Sequence, residues 1–247
     1  MELHEARRGL QAAGRYMLDN GLAWGNAGNI SARLDSDHYV ITASGTRLGD
    51  LQDDDFVECS FEGPLSKNRK PSKETPMHRA IYEQRPEIGA VLHASPFYST
   101  LVACADIQIP PDLFIEDMYY LERVEHVGYF HAGSRELGEA VRAKTKQANI
   151  LFLDNHGVLV YDTSIQEALM GLQTLEFVCR MAITARSAGL ELRVLPSSTV
   201  ADFLENSGYR PRREWPENGC SCRRCDWFQR YRHYVCQVRL PDAYLFF

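Results

Sequence analysis

Four short apolar runs, separated by stretches with helical periodicity, limit what this chain can fold into. "HYVITA" (38–43), "IGAVLH" (88–93), "ILFLD" (150–154) and "GVLVYD" (157–162) have the length and side chains of β-strands. "DFVECSFEG" (55–63) reads as one more strand with its closing turn. The second run is of the buried type, suited to a sheet covered on both faces. Between the strands, Leu3, Ala6, Leu10, Ala13 and Met17 recur at spacings of three and four, which predicts a helix over 3–19 stopped by Asn20-Gly21. Thr75-Pro76 predicts a second helix, with Thr75 as N-cap, running to about Gln84 and carrying His78 and Tyr82 on one face. Ser95-Pro96 opens another to about Ala105, and Ser134 caps one to about Ala148. Residues 164–188 form the longest, with Leu169, Leu172, Leu175, Val178 and Met181 on one stripe. Strands and helices alternate irregularly, so the fold class is a layered α/β or α+β domain.

The 247 residues suffice for one large domain or a domain plus an appendage. A net charge of −6 argues against a nucleic-acid partner, and an anionic substrate would need local positive charge. No run approaches the roughly 20 apolar residues of a membrane span. The charged N-terminus has no apolar core of a signal peptide. Cys59, Cys104 and Cys179 are scattered singly, which together with the absent leader predicts a cytoplasmic, reducing setting.

Chemistry concentrates in turns and strand ends. "AGNIS" (27–31), inside the Gly- and Asn-rich loop "WGNAGNIS", together with "ASGT" (43–46) and "PSK" (71–73), offers hydroxyls and free backbone N–H groups, the makings of an anion nest. Lys73 adds positive charge. Each turn taken singly serves equally well as a plain chain reversal. Glu74 precedes a helix start, where a carboxylate either complements the helix dipole or acts as a general acid/base. His93 and His156 close apolar strands, either as a metal-binding pair or as hydrogen-bonded buried imidazoles.

Taken together, "GLAWGNAGNISAR" (21–33), "VITASGTRLGDLQDDDFVECSFEG" (40–63), "KPSKETPMHRAIYEQRPEIGAVLHASPFYST" (70–100), "GYFHAGSRELGEAV" (128–141) and "LDNHGVLVYDTSIQEAL" (153–169) resemble the class II aldolase/adducin head-domain family, over about residues 5–188. The resemblance implies a three-layer α/β/α fold with a central, mostly antiparallel sheet, assembled as a homotetramer with active sites at subunit interfaces. It implies an anion site at Gly28, Asn29, Ser44, Gly45, Ser72 and Lys73, Glu74 as catalytic acid/base, and His93 and His156 as metal ligands. One divalent metal per subunit, zinc first and manganese, cobalt or iron as alternatives, would act as a Lewis acid in carbon–carbon cleavage or decarboxylation through an enediolate. The expected activity is that of a metal-dependent aldehyde-lyase or carboxy-lyase on a small phosphorylated or carboxylated hydroxy-carbonyl compound. A non-heme Fe(II) oxygenase and a non-catalytic adducin-like binding domain are the alternatives.

The family commonly writes its first ligand pair as His-x-His, whereas this chain writes His93-Ala94-Ser95. Ser95 reads as a helix N-cap. A third ligand would then come from Glu116, Asp117 or His131, with Glu116 the first choice because it completes a two-histidine, one-carboxylate set. An additional water, or loss of tight metal binding, are the other outcomes. The family also uses a tyrosine as proton donor, for which Tyr119, Tyr120 and Tyr129 lie in the right region and Tyr120 is the candidate carried forward.

The resemblance fades beyond residue 188, which divides the chain into an aldolase-like domain, 1–194, and an extension, 195–247, rich in Cys, Arg and aromatic residues. Cys220, Cys222, Cys225 and Cys236, with His233 between the last two, form a candidate structural zinc site. The arginines and aromatic residues around them suit a subunit contact or an active-site lid.

Overall fold

The computed structural model describes residues 1–105, 107–110, 112–206, 208 and 213–215. The Cys220, Cys222, Cys225 and Cys236 cluster with His233, and the arginine- and aromatic-rich stretch around it, lie outside the described residues. Met1–Trp215 forms one compact unit.

At its centre is an eight-stranded sheet in the order β4-β3-β2-β1-β5-β8-β7-β6. The strands are β1 (Asn29–Arg33), β2 (His38–Thr42), β3 (Phe56–Ser60), β4 (Gly63–Pro64), β5 (Ala90–Ala94), β6 (Val124–Val127), β7 (Ile150–Leu153) and β8 (Gly157–Asp162). All neighbours pair antiparallel except β6 and β7. The helices are α1 (Leu3–Asp19), α2 (Thr75–Gln84), α3 (Phe97–Ala103), α4 (Ile115–Tyr120), α5 (Arg135–Thr145), α6 (Ile165–Ser187) and α7 (Ser197–Asn206). Among the described residues no helix is long and apolar enough to cross a membrane.

Side chains that alternate along the central strands divide the interior into two apolar layers. Ile30, Ala32, Leu92, Ala94, Val158 and Val160 pack with Leu10 and Met17 of α1 and Leu172, Leu175 and Val178 of α6. Ile41, Val91, Leu159 and Tyr161 face the other way, onto Met77 and Ile81 of α2 and Leu137 and Val141 of α5. This is the expected α/β/α sandwich, and both faces of β5 are covered, as its apolar run requires.

Ser134 and Ser164 cap α5 and α6 by accepting the N–H groups of Leu137 and Glu167. Two expected caps differ. Thr75 is the first residue of α2, with Glu74 in the cap position, and the Thr75 hydroxyl donates to the Ser72 carbonyl. Pro96, not Ser95, precedes α3, and the Ser95 hydroxyl crosses to the carbonyl of His156, 3.2 Å away. Part of the expected Gly-Asn loop is strand: the turn ends at Gly28, and Asn29 starts β1.

Antiparallel pairing sets the functional geography. The start of β1, the ends of β2 and β5 and the start of β8 all lie at one end of the sheet, with Asn29 opposite His93 and Ala94 opposite Val158. At the other end of β8, Asp162 meets Arg213, whose guanidinium also reaches Glu122 and the Tyr119 carbonyl. The Trp215 ring lies between the guanidiniums of Arg85 and Arg123, 4.5 and 4.3 Å from its centroid.

Candidate functional site

The strand ends that converge carry three groups able to bind a cation. His93, last but one in β5, points to the α2 face because its neighbours Leu92 and Ala94 fill the opposite layer. His156 follows Asn155, whose φ of 57° turns the chain into β8. Glu74 enters from the N-terminus of α2. The donor atoms of these three side chains all lie within 4.8 Å of one another. Nε2 of His93 is 3.1 Å from Oε2 of Glu74, and Nε2 of His156 is 3.1 Å from Oε1.

These contacts fit a cation better than they fit one another. The His93 Nδ1–H donates to the Val158 carbonyl at 3.0 Å, so in the neutral ring the Nε2 lone pair faces a carboxylate oxygen. Oε1 of Glu74 is buried without a hydrogen-bond partner, despite the nearness of His156. A buried acceptor of this kind costs about 1–3 kcal/mol when left unmatched. Two imidazole nitrogens and a carboxylate oxygen, with an outer hydrogen bond orienting one ring, are a donor set that suits zinc and related divalent ions. Burial pushes the Glu74 carboxyl up, but the charge of His93 and the contacts of His156, His93 and Asn29 hold it well below the usual carboxylate range. Burial opposes a charge on His93, and Glu74 outweighs it, so the imidazole is raised.

The three turns assemble beside this cluster. Ser44 N–H donates to the Lys70 carbonyl and Ser72 N–H to that of Thr42, which fastens the second turn to the third. Gly28 fits only because it lacks a side chain: its φ is 91°, and a Cβ there would come within 2.7 Å of the His93 carbonyl oxygen. Gly157 is as tightly placed, with Ala94 O and Ser95 Oγ at 2.5 and 2.7 Å from a built Cβ. Ser44, Gly45 and Lys73 are exposed, whereas Ser72 is buried and its Oγ accepts the Glu74 N–H. Gly133 packs against the Lys73 backbone and brings the Tyr129–His131 loop alongside.

Asn29 differs from its expected use. Its side chain is held within the chain: Nδ2 donates one N–H to Glu74 Oε2 at 2.7 Å, and Oδ1 meets His78 Nε2 at 2.6 Å. His78, singled out in the sequence only as a member of a helix face, is wholly buried one shell behind the cluster.

The remaining candidates lie elsewhere. Glu116 is exposed on α4 and is not in the converging group, where Glu74 stands beside the two histidines. Asp117 accepts the N–H groups of Leu113 and Phe114, its own helix start. Ser95 turns its hydroxyl to the main chain. Tyr120 stacks edge-on to Tyr119, and its phenol, pushed up to about 12 by burial and then by Glu167, Tyr119 and Asp162, belongs to the far end of β8.

The family model for the class II aldolase and adducin N-terminal domain matches residues 8–183. The 3-oxo-tetronate 4-phosphate decarboxylase of Haemophilus influenzae is 32% identical over 200 residues, which cover 79% of this chain and 93% of the relative. An L-fuculose phosphate aldolase of Methanocaldococcus jannaschii is 28% identical over 169 residues, 68% of this chain and 91% of that one. Among solved structures, YgbL from Klebsiella pneumoniae superposes with a TM-score of 0.75 at 28% identity, covering 82% of this chain and 99% of that chain.

Proposed function

Because the chain belongs to the class II aldolase and adducin N-terminal domain family, we propose that its cluster of Glu74, His93 and His156 serves a metal-dependent carbon–carbon lyase reaction. The substrate is a small phosphorylated hydroxy-carbonyl compound, cleaved or decarboxylated through an enediolate. The relatives named for a 3-oxo-tetronate 4-phosphate decarboxylase and a fuculose phosphate aldolase support a sugar phosphate or sugar-acid phosphate. The carrying observation is the convergence of Glu74, His93 and His156 beside three turns rich in N–H and hydroxyl groups.

His93 and His156 would hold the metal, zinc by its donor set, with Glu74 within reach of it. When bound, the ion supplies Lewis-acid polarisation of substrate oxygens. The chain's own residues do the rest. The turns at Gly28, Ser44-Gly45 and Ser72-Lys73 take the anion, with Lys73 supplying positive charge that an acidic protein otherwise lacks. Asn29 contributes its backbone there. Glu74, held as a carboxylate, is the group able to move a proton at the carbon or oxygen next to the bond that breaks. Tyr120 is remote from this cluster within one chain, so a role as proton donor requires a neighbouring subunit's copy. That fits a homotetramer with shared sites, working in the cytoplasm.

Elemental mass spectrometry of wild type and His93→Ala, followed by turnover assays on 3-oxo-tetronate 4-phosphate and ketose 1-phosphates, tests the reading. His93→Ala is expected to lose one metal per chain. Glu74→Gln is expected to lower turnover by about 10²–10⁴-fold. A further metal that survives in His93→Ala and is lost when Cys220 and Cys222 are replaced would belong to the extension. Wild type without a metal sensitive to His93, and without turnover, overturns the lyase reading in favour of a binding domain.

A further inference from the structure

A line of buried polar side chains runs inward from Glu74 between β1 and α2. Asn29 Nδ2 meets Glu74 Oε2 at 2.7 Å, Asn29 Oδ1 meets His78 Nε2 at 2.6 Å, and His78 Nδ1 meets Ser31 Oγ at 2.7 Å. Ser31 Oγ then meets the Tyr82 hydroxyl at 2.8 Å. Ser31 and His78 are fully buried, Tyr82 is 1% exposed and Asn29 7%. An apolar layer does not need five linked polar groups, and each would be costly if left unmatched.

The line has one sense. A carboxylate only accepts, so Asn29 must turn its N–H₂ to Glu74 and its carbonyl oxygen to His78. That oxygen also only accepts, so His78 carries its proton on Nε2. Burial first, and then His93, push the His78 imidazole down to about 3, so the ring is neutral and Nδ1 accepts from Ser31. Ser31 in turn accepts from Tyr82. With the opposite His78 tautomer, a ring lone pair would face the Asn29 carbonyl, and the amide would lose what keeps it from rotating.

We propose that His78, held by Ser31 and Tyr82, is a positioning residue that locks the Asn29 amide so that its N–H fixes Glu74 Oε2 and holds the carboxylate with Oε2 facing His93 and Oε1 facing His156. The inference rests on the metal-centre reading of Glu74. It gives the Asn29 side chain a second task, holding the carboxylate, and gives His78 a function through orientation, without contact to metal or substrate. Outer hydrogen-bond partners of this kind affect metal affinity through ligand orientation and basicity.

Two measurements test it. Long-range proton–nitrogen correlation on histidine-labelled, metal-free wild type reads the His78 tautomer, and the expected result is protonated Nε2 and bare Nδ1. Chelator competition with Zn²⁺ then compares wild type, His78→Gln and His78→Met, with the metal-free thermal midpoint as a check on folding. The expected loss in affinity is about 10–100-fold for His78→Met and about threefold or less for His78→Gln, whose amide N–H still reaches Asn29. A merely structural role would lower both thermal midpoints without separating the two affinities. A proton on Nδ1, or wild-type Zn²⁺ affinity in folded His78→Met, overturns the proposal. Should wild type bind no Zn²⁺, the metal-centre reading fails and the orientation of Glu74 toward a metal falls with it, whereas the tautomer still shows whether the amide is locked.

Discussion

The Ser95 hydroxyl donates to the carbonyl of His156, and Gly157 leaves just enough room for it to do so. Ser95 thereby ties the two histidine-bearing strand ends together through the main chain, with its hydroxyl turned to that carbonyl. Ser95→Ala is therefore expected to cost about 1 kcal/mol in urea unfolding and to leave Zn²⁺ affinity within about threefold of wild type. A large loss of affinity would instead make Ser95 a ligand. The nearness of His93 and His156 was legible because both close apolar runs, although each taken singly reads equally well as a hydrogen-bonded buried imidazole. The place of Glu74 beside both imidazoles was not legible, since it depends on α2 meeting the sheet end. Glu116 looked suitable on residue type alone, and it lies exposed on a short helix outside the group of Glu74, His93 and His156.

The N-terminus of α2 and the start of β1 are the two local structures on which the site depends. Pro76 starts the helix, and Ser72 holds its entry by accepting the Glu74 N–H and, through its carbonyl, the Thr75 hydroxyl. At β1 the tight approach of Gly28 to His93 sets the distance between the Gly28 turn and the cluster of Glu74, His93 and His156. Gly28→Ala is expected to destabilise the protein by about 2 kcal/mol or more, from the left-handed backbone and the clash together. It should also weaken Zn²⁺ binding, because the relief available is displacement of His93; calorimetric unfolding and chelator competition measure the two effects. Helices with serine caps could be located from sequence because the cap is a local signal. β1 could not be separated from its loop, because Gly and Asn set the local pattern and the residues that make Asn29 a strand residue, Leu92 and His93, are more than sixty positions away. β6, with Glu125 and His126 in a four-residue strand, was hidden for the same reason.

For the whole molecule, the layered sandwich followed from the irregular alternation of elements and from the resemblance, whereas the strand order lies in pairings that no short window contains. The Arg213 anchor is also non-local. Its side chain is 1% exposed, and it neutralises Asp162 and Glu122 at the end of the sheet away from Glu74, His93 and His156. Arg213→Ala would strand two buried carboxylates and is expected to cost about 3–5 kcal/mol in denaturant unfolding, leaving the geometry around Glu74 intact in whatever remains folded. Wild-type stability in that variant would show that the anchor is not formed in solution. The gathering of Asn29, Glu74, His93 and His156 at one sheet end also fixes when the site can first exist. The last of them leaves the ribosome more than 120 residues after the first, and His156 reaches the others only by β8 pairing with β5. A nascent or truncated chain ending before β8 therefore cannot assemble the cluster, and on the proposed metal-site reading ion capture would be a late event that reports on completed folding.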